Sequence, residues 1–361
     1  MSARRKLAFW LLAGMLSVVC VEVPAGSTMF PFFTVWGLLV VWPLYLIHSV
    51  FMAGLVFRFG KPGFWPLYAA GMLYGMYEAY ITKVVWTSFR AEGPYYTIGG
   101  IALFETIICA LFLHPLLAFV VPLFLTEVAL TNSSEVWQGF PLRVRGWIRR
   151  RPGFLLGSLV TMFGLMQFVN SPSVGSSLIS GAGNGVVIGL AIYWWRRSGG
   201  ASCSLRELLP GPKGLRIFGY ILFCWYFFWG LGIKPESIPT VLHGQLTVWL
   251  IYAGLIFLFC KCLQRSRREV MPTGEPNPLV FTWREFSLCF VLATVVTAAA
   301  RLFLHDFAIV QILVFFSFYV LAGIALLVGT ICYASKSPAP ATPAPTPLPP
   351  LTADAARCDE P

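Results

Sequence analysis

The sequence predicts an all-α, polytopic integral membrane protein with about ten transmembrane helices. Of its 361 residues, 57% are hydrophobic and only 11% are charged, and the mean hydropathy is +0.74. Soluble domains carry about 25% charged residues, so a soluble fold of this chain would lack the polar surface to cover itself. The bilayer is therefore the predicted solvent, and lipids are its first predicted partners.

The net charge of +11 raises the question of a nucleic-acid partner. Lys and Arg occur in short runs between apolar segments instead of forming one continuous basic stretch. This distribution is typical of cytoplasmic loops and not of a phosphate-binding face. No nucleic-acid partner is expected.

Ten apolar segments are long enough to cross a hydrocarbon core, which takes about 20 residues. They lie at 6–24, 31–57, 63–86, 97–131, 153–170, 175–195, 215–233, 240–262, 285–304 and 307–334. An even count places both termini on one side, and a cytoplasmic N-terminus puts the main basic loops inside. We therefore predict a helical bundle over 1–335 with both termini cytoplasmic. The five-plus-five count allows halves at 1–172 and 173–335, although no sequence similarity relates them.

The segment 97–131 is the longest of the ten and carries Glu105, His114 and Glu127. Two crossings, divided at His114, would export the basic run 143–151 and violate the positive-inside bias. A single crossing is therefore predicted. Pro115 and Pro122 each remove a backbone donor, so this crossing should be kinked or locally unwound.

Four ionisable residues in the first half are candidates for binding a substrate or an ion. Glu78 and Glu105 are placed in the outer part of their spans, and His48 and His114 nearer mid-depth. Such residues usually face a bundle interior or a water-filled cavity, and consecutive spans are often neighbours. The four can therefore converge, with Tyr74 as a phenol partner of Glu78 on the same helix face.

Structural alternatives remain open for each of these residues. Glu105 can serve as a hydrogen-bond partner of a neighbouring helix, and His114 or His48 can satisfy a free carbonyl. Nine residues separate Glu105 from His114, which is half a turn out of phase on a regular helix. Either this helix is irregular or the two residues face different neighbours.

No motif implies a cofactor. The chain contains no HExxH, GxSxG or Walker sequence. His48, His114 and Glu105 are suitable metal ligands by residue type, but they lack the close spacing usual for such sites. The sequence therefore assigns no metal site.

A second polar group, which includes Arg301 and His305, lies at the outer end of the ninth predicted span. One interpretation is a solvated helix end with a snorkelling side chain. The other is an outer vestibule in which Arg301 binds an anionic head group.

Gly181, Gly185 and Gly189 recur at four-residue spacing in the sixth span. This pattern predicts close helix packing, and the alternative is a backbone-lined passage beside Asn184. Residues 336–361 alternate Pro, Ala and Thr and predict a disordered cytoplasmic tail.

Together these patterns favour a transporter or permease-like protein of the cell (inner or plasma) membrane. It would move a small amphipathic or ionic solute through a polar site in the first-half helices. One alternative is a membrane-embedded enzyme acting on a lipid or isoprenoid-type substrate. Another is a non-catalytic assembly or anchoring subunit that works through the glycine face. The ligand is expected to be a small molecule, an ion or a lipid, and the oligomeric state is left open.

Overall fold

A computed structural model of the chain describes residues 2–89, 92–270, 277, 282–304 and 307–336. Within these residues the protein is an α-helical bundle with one short β-hairpin, which confirms the predicted all-α fold. The helices of the first half are α1 (Ala3–Ala25), α2 (Trp42–Phe59, preceded by a π-helical turn, Gly37–Val41), α3 (Phe64–Ile81), α4 (Val84–Thr87), α5 (Leu103–Ile107) and α6 (Val121–Leu130). A π-helical segment, Ile108–Val120, joins α5 to α6 without a break.

The remaining helices begin with two short ones on one face and continue mainly as long ones. They are α7 (Glu135–Gln138), α8 (Leu142–Arg150), α9 (Pro152–Asn170), α10 (Val174–Arg197), α11 (Leu205–Leu208), α12 (Pro212–Gly232), α13 (Leu242–Arg268), α14 (Trp283–Phe303) and α15 (Ala308–Ser335). The predicted tail, 336–361, lies outside the described residues except for Lys336.

Nine of the described helical segments are long and apolar enough to cross a membrane. We count α3 as the tenth crossing, because its 18 residues span about 27 Å and it is surrounded by other helices. Its tyrosines and Glu78 make it less apolar than the others. The predicted count of about ten is therefore supported.

Contacts at the ends of the helices identify two opposite faces of the molecule. On one face, the Trp10 Nε1 donates to the Leu208 carbonyl at 2.8 Å, and the Arg206 Nη1 donates to the Phe57 carbonyl at 2.9 Å. On the opposite face, the Thr247 hydroxyl donates to the Gly99 carbonyl at 2.7 Å. The basic loops, the start of α1 and the end of α15 lie on the first face. The positive-inside bias makes this face cytoplasmic.

The crossing that contains Pro115 is a single one, and its irregularity is the π-helical segment. Proline has no N–H, so it could not donate to the Leu111 carbonyl even if this segment were a regular α-helix. The Tyr68 hydroxyl of α3 donates to this carbonyl at 2.6 Å. A proline inside the crossing thus changes its helical type without breaking it.

Three predicted span boundaries were wrong. The 97–131 segment starts as a hairpin, in which β1 (Thr97–Ile98) pairs with β2 (Ile101–Ala102) across two glycines of positive φ. The 63–86 segment ends at Ile81, because Lys83 adopts a φ of 67° and α4 follows separately. The 31–57 segment becomes helical near Gly37. In each case the apolar run is longer than the helix and includes a loop or turn at one end of it.

Helix α3 packs unusually close to the π-helical segment through two glycines. A Cβ on Gly71 would lie 2.6 Å from the Pro115 Cα, and one on Gly75 would lie 2.5 Å from the Cys109 carbonyl oxygen. These distances are too short for any side chain. The four-residue spacing of Gly71 and Gly75 is a close-packing pattern that was not among the predicted packing sites.

The glycines of α10 face α14 of the same chain. A Cβ on Gly181 would meet the Thr294 hydroxyl at 2.2 Å, and one on Gly185 would meet the Phe290 ring at 2.8 Å. Gly189 lies further along the same groove between the two helices. This glycine face is therefore occupied within the chain by α14.

Cysteine labelling checks the sidedness of this fold. In intact cells carrying a cysteine-less variant, a membrane-impermeant reagent should modify a cysteine at Ser237 and spare one at Ser134. The reason is that an odd number of crossings separates these positions. Labelling of both positions after permeabilisation is the control. Modification at 134 in intact cells would contradict the single crossing of Leu103–Leu130.

Candidate functional site

Buried polar side chains gather where α1, α2, α3 and the π-helical segment meet. We call them the polar cluster, and its members are Glu22, Tyr45, His48, Tyr74, Glu78 and His114. All but Glu22 are buried, and Glu22 is partly exposed at the outer end of α1. Three of the four first-half candidates, Glu78, His48 and His114, are thus brought together.

A chain of hydrogen bonds runs from the outer end of α1 into the bundle. The Ser27 hydroxyl donates to Glu22 Oε2 at 2.6 Å, and the Tyr45 hydroxyl donates to Glu22 Oε1. The same hydroxyl lies 3.4 Å from His114 Nε2. Tyr45 therefore bridges a carboxyl group near the surface and an imidazole buried in the bundle.

The chemistry of the partners assigns the hydrogen positions on His114. Its Nδ1 lies 3.1 Å from the Cys109 carbonyl oxygen, which can only accept, so Nδ1 carries a hydrogen. In the neutral ring, Nε2 is then an acceptor facing Tyr45. The single proton of Tyr45 can accordingly be donated either to Glu22 or to His114.

His48 presents a similar arrangement. Its Nδ1 donates to the Leu44 carbonyl oxygen at 2.9 Å, which leaves Nε2 as the acceptor atom. The ring stacks on Tyr74 with centroids 4.5 Å apart and meets the Tyr77 ring edge-on at 4.2 Å. Nε2 is buried and has no hydrogen-bond partner among the described residues. It is a buried acceptor that no described residue satisfies.

Glu78 is buried beside these rings without a hydrogen bond to its Oε1. It interacts electrostatically with Glu22 and with the Tyr45 and Tyr74 hydroxyls. Within the part of the chain that the structure describes, neither Glu22 nor Glu78 forms an ion pair with Lys or Arg. Burial without an ion pair disfavours the charged form of a carboxylic acid.

The expected bond between Glu78 and a tyrosine on its own helix is not observed. The Tyr77 hydroxyl donates instead to the Leu222 carbonyl of α12 at 2.8 Å. The Tyr74 hydroxyl lies near Ser17 and Ser49 but has no hydrogen-bond partner among the described residues. The helical spacing of these residues is correct, but neither tyrosine hydroxyl forms a hydrogen bond with Glu78.

Glu105 lies outside the polar cluster. It is fully buried, and its Oε1 accepts hydrogen bonds from the Ser88 hydroxyl at 2.8 Å and from the Tyr95 backbone N–H at 3.2 Å. Its carboxylate thus holds the outer loop against the first turn of α5, where the helix dipole also favours an anion. Glu105 and His114 have different neighbours, and the helix between them is irregular as well.

The structure does not group the metal candidates. His48 and His114 each commit one ring nitrogen to a backbone carbonyl, and Glu105 is held by the outer loop. Among the described residues there is no group of three or more His, Cys, Asp or Glu that could hold a metal ion. The residues present therefore offer no assembled set of ligands.

Of the outer group, only Arg301 lies within the described residues. Its Nη2 donates to the Pro172 carbonyl at 3.2 Å, which ties the outer end of α14 to the turn between α9 and α10. His305 lies outside the described residues. The vestibule for an anionic head group stays a prediction.

The sequence-based predictions missed Tyr45, and they placed Glu22 close to the outer surface without including it among the four candidates. Tyr45 lies three residues before His48 and so shares its helix face, which is a signal that could have been used. Glu22 is a carboxyl group inside the first apolar segment, although its position near the surface made it less conspicuous. Their connection through His114 could not be deduced without the three-dimensional arrangement of three different helices.

Comparison with known proteins supports the membrane fold and adds no activity. Residues 11–338 match the model of a family described as "Uncharacterized membrane protein family". A similar protein from Archaeoglobus fulgidus, named "Uncharacterized protein", is 28% identical over 338 residues. The alignment covers 91% of this chain and 97% of the relative. No solved structure matches the chain.

Proposed function

The chain belongs to this uncharacterized membrane protein family, and on that premise we propose that it is a proton-coupled transporter of a small amphipathic or ionic solute. The observation that carries the proposal is the bridge formed by Tyr45 between Glu22 and His114. Buried ionisable residues of this kind are typical of proton relays in pumps and transporters. We place the protein in the cell membrane, where an ion gradient can supply energy.

The bridge can move a proton from the outer end of α1 to the bundle interior. Protonated Glu22 gives its proton to the Tyr45 oxygen while Tyr45 gives its own proton to His114 Nε2. Glu22 is then a carboxylate, Tyr45 is again neutral, and His114 is a cation, so one proton has moved inward. Glu78 and the free His48 Nε2 lie in the same cluster and can accept or supply a proton in turn.

The structure gives less support to the two other functions. An enzyme acting on lipid would need its acid and base groups to line a cavity open to that lipid, but the apolar cavity described below lies on the far side of α1 from the polar cluster. An assembly role through the glycine face is weakened because α14 already covers Gly181 and Gly185. Transport is the function that uses the residues gathered here.

Proteoliposomes that contain a pH-sensitive dye test the proposal. When small amphipathic or ionic solutes are added in turn across a pH gradient, one class should change the internal pH only in vesicles containing the protein. Tyr45→Phe retains the ring but removes the relay proton, and His114→Ala removes its acceptor. Each should reduce the coupled flux about 100-fold, a rate loss typical of removing a proton-transfer group.

Glu105→Gln is the matched control, because Glu105 lies outside the cluster and its amide can still accept the loop hydrogen bonds. Its flux should stay near that of the unmodified protein. Infrared difference spectra across a pH titration supply a readout that needs no solute. They should show a carboxyl band that is lost in Glu22→Gln and displaced in Tyr45→Phe. Unchanged flux and spectra in Tyr45→Phe would contradict the relay.

A further inference from the structure

A cavity of about 130 Å³ lies between α1, α6, α9, α10 and α14. It is separated from the polar cluster by α1 itself. One side of α1, including Leu16 and Cys20, lines the cavity. Ser17 and Glu22 lie on other sides of α1 and accept hydrogen bonds from Ser49 and Tyr45 of α2. The two sites are therefore distinct and share one helix as a wall.

The cavity wall is almost entirely apolar and carries no charged side chain. Its main polar feature is a group of three residues, Gln167, Ser180 and Asn184. Ser180 and Asn184 both donate to the Met29 carbonyl, at 2.7 Å and 2.9 Å. These bonds fix the Asn184 amide in place with its nitrogen directed toward the loop.

The Asn184 Oδ1 is left without a hydrogen-bond partner among the described residues, although the side chain is only 1% exposed. An unsatisfied buried acceptor is energetically unfavourable and uncommon in native proteins. It lies in a residue that lines the cavity, where a ligand could donate to it. The site thus combines apolar walls with one oriented acceptor.

A groove between α10 and α14 adjoins the cavity and connects it with the surface that faces the bilayer. Groove and cavity share Gly181, Phe290 and Thr294 in their linings, and the Phe290 ring packs against Gly185 between them. An engineered apolar cavity of about 150 Å³ holds a molecule the size of benzene. A longer apolar molecule would accordingly place one part in the cavity and extend the rest toward the groove.

We propose that this cavity binds an uncharged long-chain or isoprenoid-type alcohol, with its chain along the apolar walls and its hydroxyl donating to Asn184 Oδ1. A fatty acid or phospholipid is disfavoured, because its charge would be buried without a cationic partner. The inference goes beyond the proposed function, since it depends on none of the residues of the polar cluster.

Photolabelling of the purified full-length protein tests this assignment. The probe is a long-chain alcohol that carries a diazirine on its chain, and the reference probes are the matching hydrocarbon and the matching fatty acid. The alcohol should label the protein saturably, with modified peptides from α9, α10 and α14, and unlabelled alcohol should compete. The hydrocarbon and the fatty acid should compete at least tenfold less well.

Two variants test separately the binding of the hydrocarbon chain in the cavity and the hydrogen bond from the hydroxyl group to Asn184. Asn184→Leu removes the acceptor and keeps a side chain of similar volume. It should lower the affinity for the alcohol about tenfold, as expected for one lost hydrogen bond. Labelling by the hydrocarbon should stay unchanged. Leu159→Trp fills the cavity and should abolish saturable labelling. Ser158→Trp places the same ring on the exposed side of α9 and is its matched control.

Size-exclusion profiles and melting temperatures show whether each variant is folded. Equal competition by the alcohol and the hydrocarbon would overturn the role of Asn184. Stronger competition by the fatty acid would overturn the uncharged ligand class. Equal labelling of folded Leu159→Trp and Ser158→Trp would place the ligand on the outer surface and overturn the cavity site.

Discussion

Replacing Gly75 with alanine should lower the free energy of unfolding by about 3 kcal/mol, the upper end of the usual cost of overpacking. The new Cβ would lie 2.5 Å from the Cys109 carbonyl oxygen and 2.8 Å from the Ala110 Cα, and both of these are backbone atoms. Relief requires α3 and the π-helical segment to separate. The same separation would move His114, whose own Cβ would lie 3.1 Å from the added one.

Thermal unfolding in detergent, followed by a thiol-reactive dye, measures this effect. The control is Gly254→Ala in α13, where an added Cβ meets nothing within 4 Å. That change should be neutral or slightly stabilising, because alanine has the higher helix propensity. If both variants unfold at the same temperature, the close approach of α3 to the π-helical segment is not a feature of the protein.

Replacing Glu127 with alanine should destabilise the cytoplasmic side by about 3–5 kcal/mol. This fully buried carboxylate accepts from the Val136 and Trp137 backbone N–H groups at 2.8 Å and 2.9 Å and from the Ser133 hydroxyl. A buried donor that is left without its acceptor costs about 1–3 kcal/mol. Loss of these hydrogen bonds would release the loop that connects α6 to α7.

Limited proteolysis within 131–141, combined with chemical denaturation, reports this release. The matched control is Glu207→Ala, which removes the carboxylate half of an exposed capping box on α11 and should have a much smaller effect than Glu127→Ala. Glu127→Gln retains one acceptor oxygen and should fall between the two. Equal proteolysis of Glu127→Ala and Glu207→Ala would show that Glu127 does not hold the loop.

The fold was largely predictable because a bilayer imposes few solutions on a chain. Each crossing must satisfy its own backbone, so long apolar segments become helices, and basic loops report their sides. Helix ends were less predictable. Gly99 and Gly100 form a hairpin turn inside an apolar run, and Lys83 ends α3 by adopting a positive φ that few side chains occupy.

The site was only partly predictable, for a different reason. Adjacency of consecutive spans anticipated that Glu78, His48 and His114 would meet, and the structure places them together. It also separates Glu105 from them, because Glu105 lies near the outer end of its crossing, where it accepts hydrogen bonds from Ser88 and from the Tyr95 backbone. For the cavity beside Asn184, the sequence offered only the alternative of a backbone-lined passage, since the size of a void depends on how five helices pack around it.

The hydrogen bond from Trp10 to the Leu208 carbonyl constrains the order in which this protein can mature during its synthesis. The first helix leaves the ribosome almost 200 residues before its partner loop exists. The contact of Lys6 also depends on that loop, since the Lys6 Nζ donates to the Leu209 carbonyl. Long-range contacts form late, after the intervening chain has been ordered. The nascent chain therefore inserts its first helix early, but this helix reaches its final position only when the seventh crossing begins to enter the membrane.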